Sequence, residues 1–534
     1  MPPPLRRILC AAALLLGASA RAAEPPPPET VSLRDAVLGA LARNPALAVR
    51  REEIAQREAR GLQAAGEFDP HLSALFNATR NRAPGVNREA LTFQSYLRNA
   101  GVDSPALNDS LDPLATANVV RVDDFNYQLG LAQKLRNGIV FGPVASVNVN
   151  EGLSPVIAPL TTGRVSLVVQ VPLLRGLGAD STGAREAAAR GEAEVARLLY
   201  RHELAAQAAR TAGAYWASRA AAEAAAIRRD TEARAADLLA AMRPLVTAAV
   251  LAPGALTQAE ANLLEKHAVR LEADLAASTA HTELGRALGL APAHLARTPR
   301  ATDAFPAVPA ALDGAPEKIS AWIAFALAHR ADHQAVRHSR EPAALLARKA
   351  QRDLLPRLDL AVQAGYATLS AGRNALDGLS ERRTGGNGAL TVSLDWPLRN
   401  TLQRGELREA RAREREAEAR LAVLVGDIAG EVATAVREAA LRAELVAAAE
   451  RALAVAERAV RQERERLGLG ETSLPDVIAL ENSLGEARLR LTAARAGFAV
   501  AVVRFRFAVG SLFAGQSAEG AFELANLTQL PASP

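Results

Sequence analysis

Few residues in this chain are spaced for chemistry. His329 and His333 stand four apart with Asp332 between them, a spacing that on one helix face can hold a metal ion. They fall at a short helix end, where solvated side chains explain them better than a ligand set does. Tyr215-Trp216 reads as a packing anchor rather than a ligand cage. Asp476 follows Pro475 at the start of a predicted helix, where a carboxylate meets free backbone N–H groups. Arg504 and Arg506 near the last long helix end are expected to pair with acids or to favour the helix dipole. Cys10 is the only cysteine, and no Ser/His/Asp set, phosphate loop or dinucleotide fingerprint occurs. The reading is therefore of a protein that is not an enzyme and takes neither cofactor nor metal.

The elements around these residues are more informative. The 534 residues are 49% hydrophobic and 23% charged, so the chain is not a disordered polymer. The net charge of +5 is small for this length. Four lysines (Lys134, Lys266, Lys318 and Lys349) accompany many arginines, and Arg is interleaved with Glu rather than gathered on one face, which argues against nucleic acid. Arg6 and Arg7 precede the apolar run Ile8–Leu16, and Ala20-Arg21-Ala22 offers a small-residue cleavage site, so residues 1–22 read as a secretory signal peptide. No later stretch reaches the roughly 18 apolar residues of a spanning helix. An exported chain of this kind either works outside the cytoplasm in water or crosses a membrane as strands.

An internal repeat organises the chain. Leu33–Arg43 opens one copy and Ile319–His329 the other. With Leu41 set on Leu327, Pro70 falls on Pro356. Val169-Gln170-Val171-Pro172-Leu173 then resembles Leu394-Asp395-Trp396-Pro397-Leu398, and the copies end at Gly289 and Gly510. Pro70, Pro172, Pro356 and Pro397 mark strand–helix boundaries. Each copy reads helix, helix, strands, long helix, turn, long helix. The first covers residues 23–290, with strands within 68–175 and a helical hairpin over 180–290. The second covers 317–510, with strands over 356–398 and a hairpin over 400–510. Residues 291–316 form a linker and 511–534 a tail.

The strands alternate with period two. Leu390, Val392, Leu394 and Trp396 oppose Thr391, Ser393 and Asp395, and Phe125, Tyr127, Leu129 and Leu131 oppose Asn126, Gln128 and Gly130. A membrane barrel with a wet lumen has this pattern, and so does a half-buried soluble sheet. In the first copy Asn81–Asp124 reads as a polar outward loop. Asn137-Gly138 reads as a hairpin turn before a strand at Val140–Asn150. That extra pair either enlarges the barrel or forms an external hairpin, and Pro143 favours the latter by disfavouring a central strand. The helices carry a seam, Leu421, Val425, Ile428, Val432, Val436, Ala439, Ala443, Val446, Ala449, Leu453, Ala456 and Val460, spaced by threes and fours as in a coiled coil. About 60 uninterrupted helical residues make roughly 90 Å of helix.

With these motifs in order, the chain resembles the TolC family of outer-membrane channel proteins over nearly its whole mature length. The motifs are Ser32–Val37 through Asn44–Leu47, Gln170–Gly176, Ala214-Tyr215-Trp216, Leu251-Ala252-Pro253 with Gln258–Ala261, and Arg466–Val477. The resemblance implies a mainly α fold with a β membrane region: a long coiled-coil α-helical barrel joined to a shared transmembrane β-barrel, built from two internal repeats. It implies a homotrimer in the cell outer membrane, extending into the periplasm and surrounded by outer-membrane lipid. A periplasmic adaptor (membrane fusion) protein and an inner-membrane transporter would be its partners, in a tripartite efflux pump or type I secretion system. Conduction would be passive and gated at the periplasmic helix tips. Asp476 would form the pore constriction, the family's second acidic position being Ala479 here. Pro253, Gly254, Gly468 and Gly470 would be the adaptor-contacting hairpin tips. Ala255, Val250 and Leu467 depart from the family's tip pattern. The alternative function is a non-pore periplasmic coiled-coil scaffold.

Overall fold

The computed structural model describes residues 28–83, 95–101, 105–106, 120–151, 160–247, 253–309, 316–372, 384–469, 471–513 and 525–531. The predicted signal peptide, most of the Asn81–Asp124 loop and Gly470 lie outside them. The elements run β1 (Thr30–Val31), α1 (Leu33–Arg43), α2 (Pro45–Ala65), β2 (His71–Ala83), β3 (Val120–Lys134), β4 (Val140–Glu151), β5 (Leu160–Pro172), α3 (Ala184–Thr247), α4 (Pro253–Ala287), β6 (Arg300–Ala301), α5 (Pro316–His329), α6 (Ala331–Arg352), β7 (Arg357–Ala371), β8 (Thr384–Asp395), α7 (Thr401–Gly468) and α8 (Leu474–Val509). Two helices, strands and two long helices thus follow in order twice. Pro70 and Pro356 directly precede β2 and β7, Pro172 ends β5, and Pro397 follows β8. The chain divides into two compact units, residues 52–197 with 335–423, and residues 1–51 with 198–334 and 424–534.

The first unit contains one antiparallel sheet of six strands, in the order β2-β3-β4-β5-β7-β8. The β3–β4 pair lies in the middle of this sheet, which corrects the external hairpin expected from Pro143. A proline removes one donor, and the β3–β4 ladder is interrupted only between Gln133↔Phe141 and Gly130↔Val144. Gly142 keeps the strands together there, because a Cβ at this position would lie 1.6 Å from the Leu131 carbonyl oxygen. On its other side β4 pairs continuously with β5, from Val140↔Gln170 to Asn150↔Leu160.

The second unit is helical. Ser32 caps α1 by accepting from the Asp35 N–H at 3.2 Å while its hydroxyl donates to the Asp35 carboxylate at 2.7 Å. Asn44 ends that helix, and its side-chain oxygen accepts from Ala46 N at 2.9 Å to start α2. Leu33, Ala36 and Val37 of α1 pack with Ala208, Ala212, Tyr215 and Trp216 of α3, Leu284 of α4, and Ala499 and Val503 of α8. In the second half, Ile319, Trp322 and Ala326 of α5 pack with Ile428, Val432 and Val436 of α7 and with Phe505 and Val509 of α8. The predicted α7 seam is its buried stripe: Ile428, Val432, Val436, Ala439, Ala443, Val446 and Val460 are all buried. Alanines among them let the helix axes come close.

Both halves end on the same device. Gly289 (φ 70°) and Gly510 (φ 76°) are left-handed. Leu290 N donates to Gly285 O at 3.1 Å, and Ser511 N donates to Arg506 O at 2.9 Å, each closing the last helical turn. A Cβ on Gly289 would stand 3.0 Å from the Asn44 Cα, and one on Gly510 would stand 3.2 Å from the Arg330 Cα. Asn44 and Arg330 are the residues that separate α1 from α2 and α5 from α6. Gly289→Ala is therefore expected to destabilise the protein by about 2 kcal/mol, since a side chain is strained at positive φ and here also meets backbone. Gly254→Ala, with nothing within 4 Å, should leave thermal unfolding unchanged or slightly raised.

Candidate functional site

The sheet's pairing register sets its two faces. Leu72, Ala74 and Phe76 lie opposite Leu131, Leu129 and Tyr127. Val165, Leu167 and Val169 lie opposite Tyr366, Ala364 and Val362. Leu360, Val362 and Leu358 lie opposite Val392, Leu390 and Leu394. One apolar face therefore runs through all six strands, and many of its side chains are exposed (Leu72 72%, Tyr366 67%, Leu390 71%, Val392 62%), whereas Val147 and Val149 toward one end of β4 are buried. On the other face the Gln170 amide donates to the Asp359 carboxylate at 2.9 Å, and the Gln363 amide donates to the Ser166 hydroxyl at 2.8 Å. Ser166 and Asp359 are buried. Leu75 and Leu369 are apolar exceptions on this polar face.

A water-soluble sheet covers its apolar face. Here much of the apolar face stands uncovered, as that of strands in lipid does. Aromatic rings lie on this apolar face, with Phe76 and Tyr127 in contact in mid-strand at 4.9 Å between centroids, Tyr366 exposed on β7, and Trp396 just beyond β8. Within the chain β2 and β8 each have one neighbour, so each leaves an edge.

The helix ends carry the predicted gate and tip residues. Pro475 stands at the start of α8, and the Ser473 hydroxyl donates to the Asp476 carboxylate. Asp476 is exposed in the first turn of α8. Arg464 Nε donates to Glu481 across the same turn at 2.9 Å, and Glu471 N donates to Arg466 O at 3.0 Å. Gly468 is the last residue of α7. On the other hairpin Pro253 begins α4 and Gly254 is exposed. Arg488 of α8 reaches Asp230 of α3 at 3.2 Å and Glu457 of α7 at 4.0 Å, and Arg228 reaches Glu486 at 2.9 Å, so ion pairs join the two hairpins.

Two polar hubs lie in the helical unit. The Tyr215 hydroxyl donates to Val31 O at 3.2 Å and accepts from Thr302 N and Asp303 N, both at 3.0 Å. It ties the linker after α4 to the start of the chain, and burial pushes its hydroxyl above its ordinary pKa. The second hub is Arg330, which sequence reasoning passed over in favour of its neighbours. Its guanidinium binds Asp332 at 2.7 and 3.1 Å, Glu431 at 2.5 Å and the Ala508 carbonyl at 3.2 Å. Its only sequence signal is the repeat itself, which sets it on Asn44. Burial would raise the Asp332 carboxyl, but Arg330, His202 and the His333 N–H outweigh it and hold the group below the usual range. His329 ends α5 stacked on Phe325, and His333 lies in the first turn of α6, so the two are on different helices. Among the described residues no group of His, Cys, Asp and Glu is placed to hold a metal. Arg504 pairs with Glu438 at 3.5 Å, whereas Arg506 meets no acid among the described residues and donates to Gln529 O at 2.6 Å and Asn526 at 2.9 Å.

Residues 322–511 match the family model described as outer membrane efflux protein. Among solved structures the chain is similar to the outer-membrane channel OprN, at 18% identity and a TM-score of 0.63, covering 90% of both chains. It is similar to the CmeC outer membrane channel of Campylobacter jejuni, at 15% identity and a TM-score of 0.63, covering 90% of this chain and 85% of that one. It is also similar to the outer membrane protein VceC of Vibrio cholerae, at 17% identity and a TM-score of 0.60, covering 90% and 96%. At these identities the likeness is one of fold. No curated protein matches the chain in sequence.

Proposed function

We propose that this chain, whose residues 322–511 match the outer membrane efflux protein model, is a TolC-family channel and serves as the outer-membrane exit duct of a tripartite efflux pump or type I secretion system. The observation that carries this reading is the sheet with an apolar face running through all six strands, much of it exposed, and an unpaired edge at either end. Lipid leaves no open edge unsatisfied, so closure has to come from further copies of the chain, and a homotrimer is the assembly we propose. Transport through it is passive. Energy comes from an inner-membrane transporter, linked by a periplasmic adaptor that meets the tips at Pro253, Gly254, Gly468 and Gly470. Envelope fractionation and planar-bilayer recording test the proposal. Recovery in the outer-membrane fraction together with single-channel steps is expected, and recovery only in the soluble periplasm overturns it.

At the inner end, three copies of Asp476 form a ring of negative charge that favours cations. The Ser473 hydroxyl that donates to it holds the carboxylate at the start of α8. Asp476→Ala is expected to reduce cation preference and block by divalent ions in bilayers. Unchanged selectivity and block would remove Asp476 from the constriction. The ion pairs of Arg488 with Asp230 and Glu457 hold the hairpins together near this end, and gating is their repacking.

A further inference from the structure

We propose that the β3–β4 hairpin is built into the membrane wall, so that three copies close a cylinder of eighteen strands, six from each. The inference rests on the trimeric channel proposed above and extends it to the width of the passage. Were the hairpin external, β2 would pair with β5, each copy would lend four strands, and three copies would close twelve.

Three observations support the wider wall. The first is continuity: β2 and β3 pair without a break from His71↔Ala132 to Ala83↔Val120, and β4 and β5 pair from Val140↔Gln170 to Asn150↔Leu160. The second is phase. Tyr127 and Leu129 of β3 share a face with Phe76 and Ala74 of β2 and with Ala145 and the buried Val147 of β4, while Asn126 and Gln128 share the other with Asn148 and Ser146. A hairpin standing in water has no reason to keep its apolar side chains in register with a lipid-facing wall.

The third is the anchoring of the turn between β3 and β4. Gly138 takes φ 96° there, and Leu135 N donates to Ile139 O at 2.8 Å. A Cβ on Gly138 would stand 2.1 Å from the Gly176 carbonyl, and Gly178 N donates to Asn137 O at 3.0 Å, so the turn is fitted against the segment that leaves β5. Arg136 binds Glu186 of α3 through two bonds at 2.8 and 3.0 Å, and Glu186 is buried. Peeling the hairpin away would leave that carboxylate without its main partner.

Strand count sets the bore. With strands about 4.8 Å apart and tilted by about 40°, eighteen strands close at a backbone diameter of about 36 Å and twelve at about 24 Å. An α-helix with its side chains is about 10–12 Å across. The polar face of the hairpin carries Asn126, Gln128, Gly130, Ser146 and Asn148 along its middle, small or uncharged groups that leave most of this width open, with Asp124 and Lys134 toward its ends. The membrane part then admits cargo of polypeptide width, and selection falls to the helical end.

Averaged images of detergent-extracted full-length particles read the wall directly: a diameter near 36 Å is expected, and one near 24 Å overturns the proposal. Cysteine labelling gives an independent answer in proteoliposomes. With a charged, membrane-impermeant thiol reagent, Leu129→Cys should react at least about tenfold more slowly than Gln128→Cys, because the reagent must enter hydrocarbon. A fluorophore at 129 should be quenched by brominated lipid. Equal reaction from water at both positions, with no quenching at 129, overturns the proposal. Ala145→Cys and Ser146→Cys on β4 repeat the comparison should the β3 pair fail to assemble. Native mass measurement separates the two readings, since a monomer sinks the trimer whatever the labels report.

Discussion

Arg330→Met is expected to destabilise the protein by about 3–5 kcal/mol, the cost of removing one partner from a buried ion pair. The Arg330 side chain is 5% exposed and that of Asp332 11%. Methionine fills the space of the aliphatic stem but leaves Asp332 facing the His202 ring at 3.7 Å in place of a guanidinium. Glu431 is half exposed and finds water, so its share is small. The Ala508 carbonyl in the last turn of α8 loses its donor as well. Chemical unfolding of the detergent-solubilised protein measures the loss. Adding Asp332→Leu to Arg330→Met should return most of it, because removing both charges leaves no stranded ion. If the double variant is as unstable as the single, the effect is packing and the ion pair is incidental.

The same hub has a pH signature. Asp332 is depressed in the folded protein, so its contribution is present above the unfolded carboxylate value of about 3.9 and is lost as pH falls through the lower folded value. In Arg330→Met burial dominates and the Asp332 carboxyl moves up. Its folded form then prefers the proton, and mild acid should stabilise the variant where it does not stabilise the parent. Parallel pH curves for the two proteins would deny Asp332 this role.

The legibility of this fold differs between its parts for physical reasons. The helical seam from Ile428 to Val460 was readable because buried apolar positions on a helix recur at a fixed angle. The duplication was readable because local breaks recur: setting Leu41 on Leu327 superposes Asn44 on Arg330, and each faces a left-handed glycine. Arg330 itself was not readable as a hub. Its partners come from Glu431 and Ala508, brought to it only by folding, while the nearby histidines drew attention through spacing alone. Tyr215 was legible as an anchor, but the three backbone groups that meet its hydroxyl lie far away in the chain. Pro143 misled because the rule against central prolines counts one missing donor. It does not count Gly142 beside it, which lets the neighbouring backbone close in, or the ladders continuing on either side.

A charge placed on β8 decides which face of the sheet meets lipid. Val392→Arg is expected to cost about 2–4 kcal/mol if the residue lies near mid-bilayer, and less toward either interface. Ser393→Arg, one residue on and so at nearly the same depth, should be tolerated. The register explains the difference: Val392 lies opposite Leu360 on the exposed apolar face, and Ser393 lies opposite Asp359 on the polar one. On the polar face an arginine finds water, and the Asp359 carboxylate, already bound by Arg357 at 2.7 Å, lies across the strand pair. On the apolar face it has to snorkel or drag water into hydrocarbon. The measurement is the yield of assembled oligomer in the outer membrane, followed by unfolding of the protein in lipid. Because neighbouring positions are compared, depth, strand propensity and edge effects largely cancel, and what remains is the environment of each face. A larger penalty at Ser393 than at Val392 would turn the sheet inside out. Equal tolerance at both would mean that β8 has water on either side, which is incompatible with a strand closing a membrane wall.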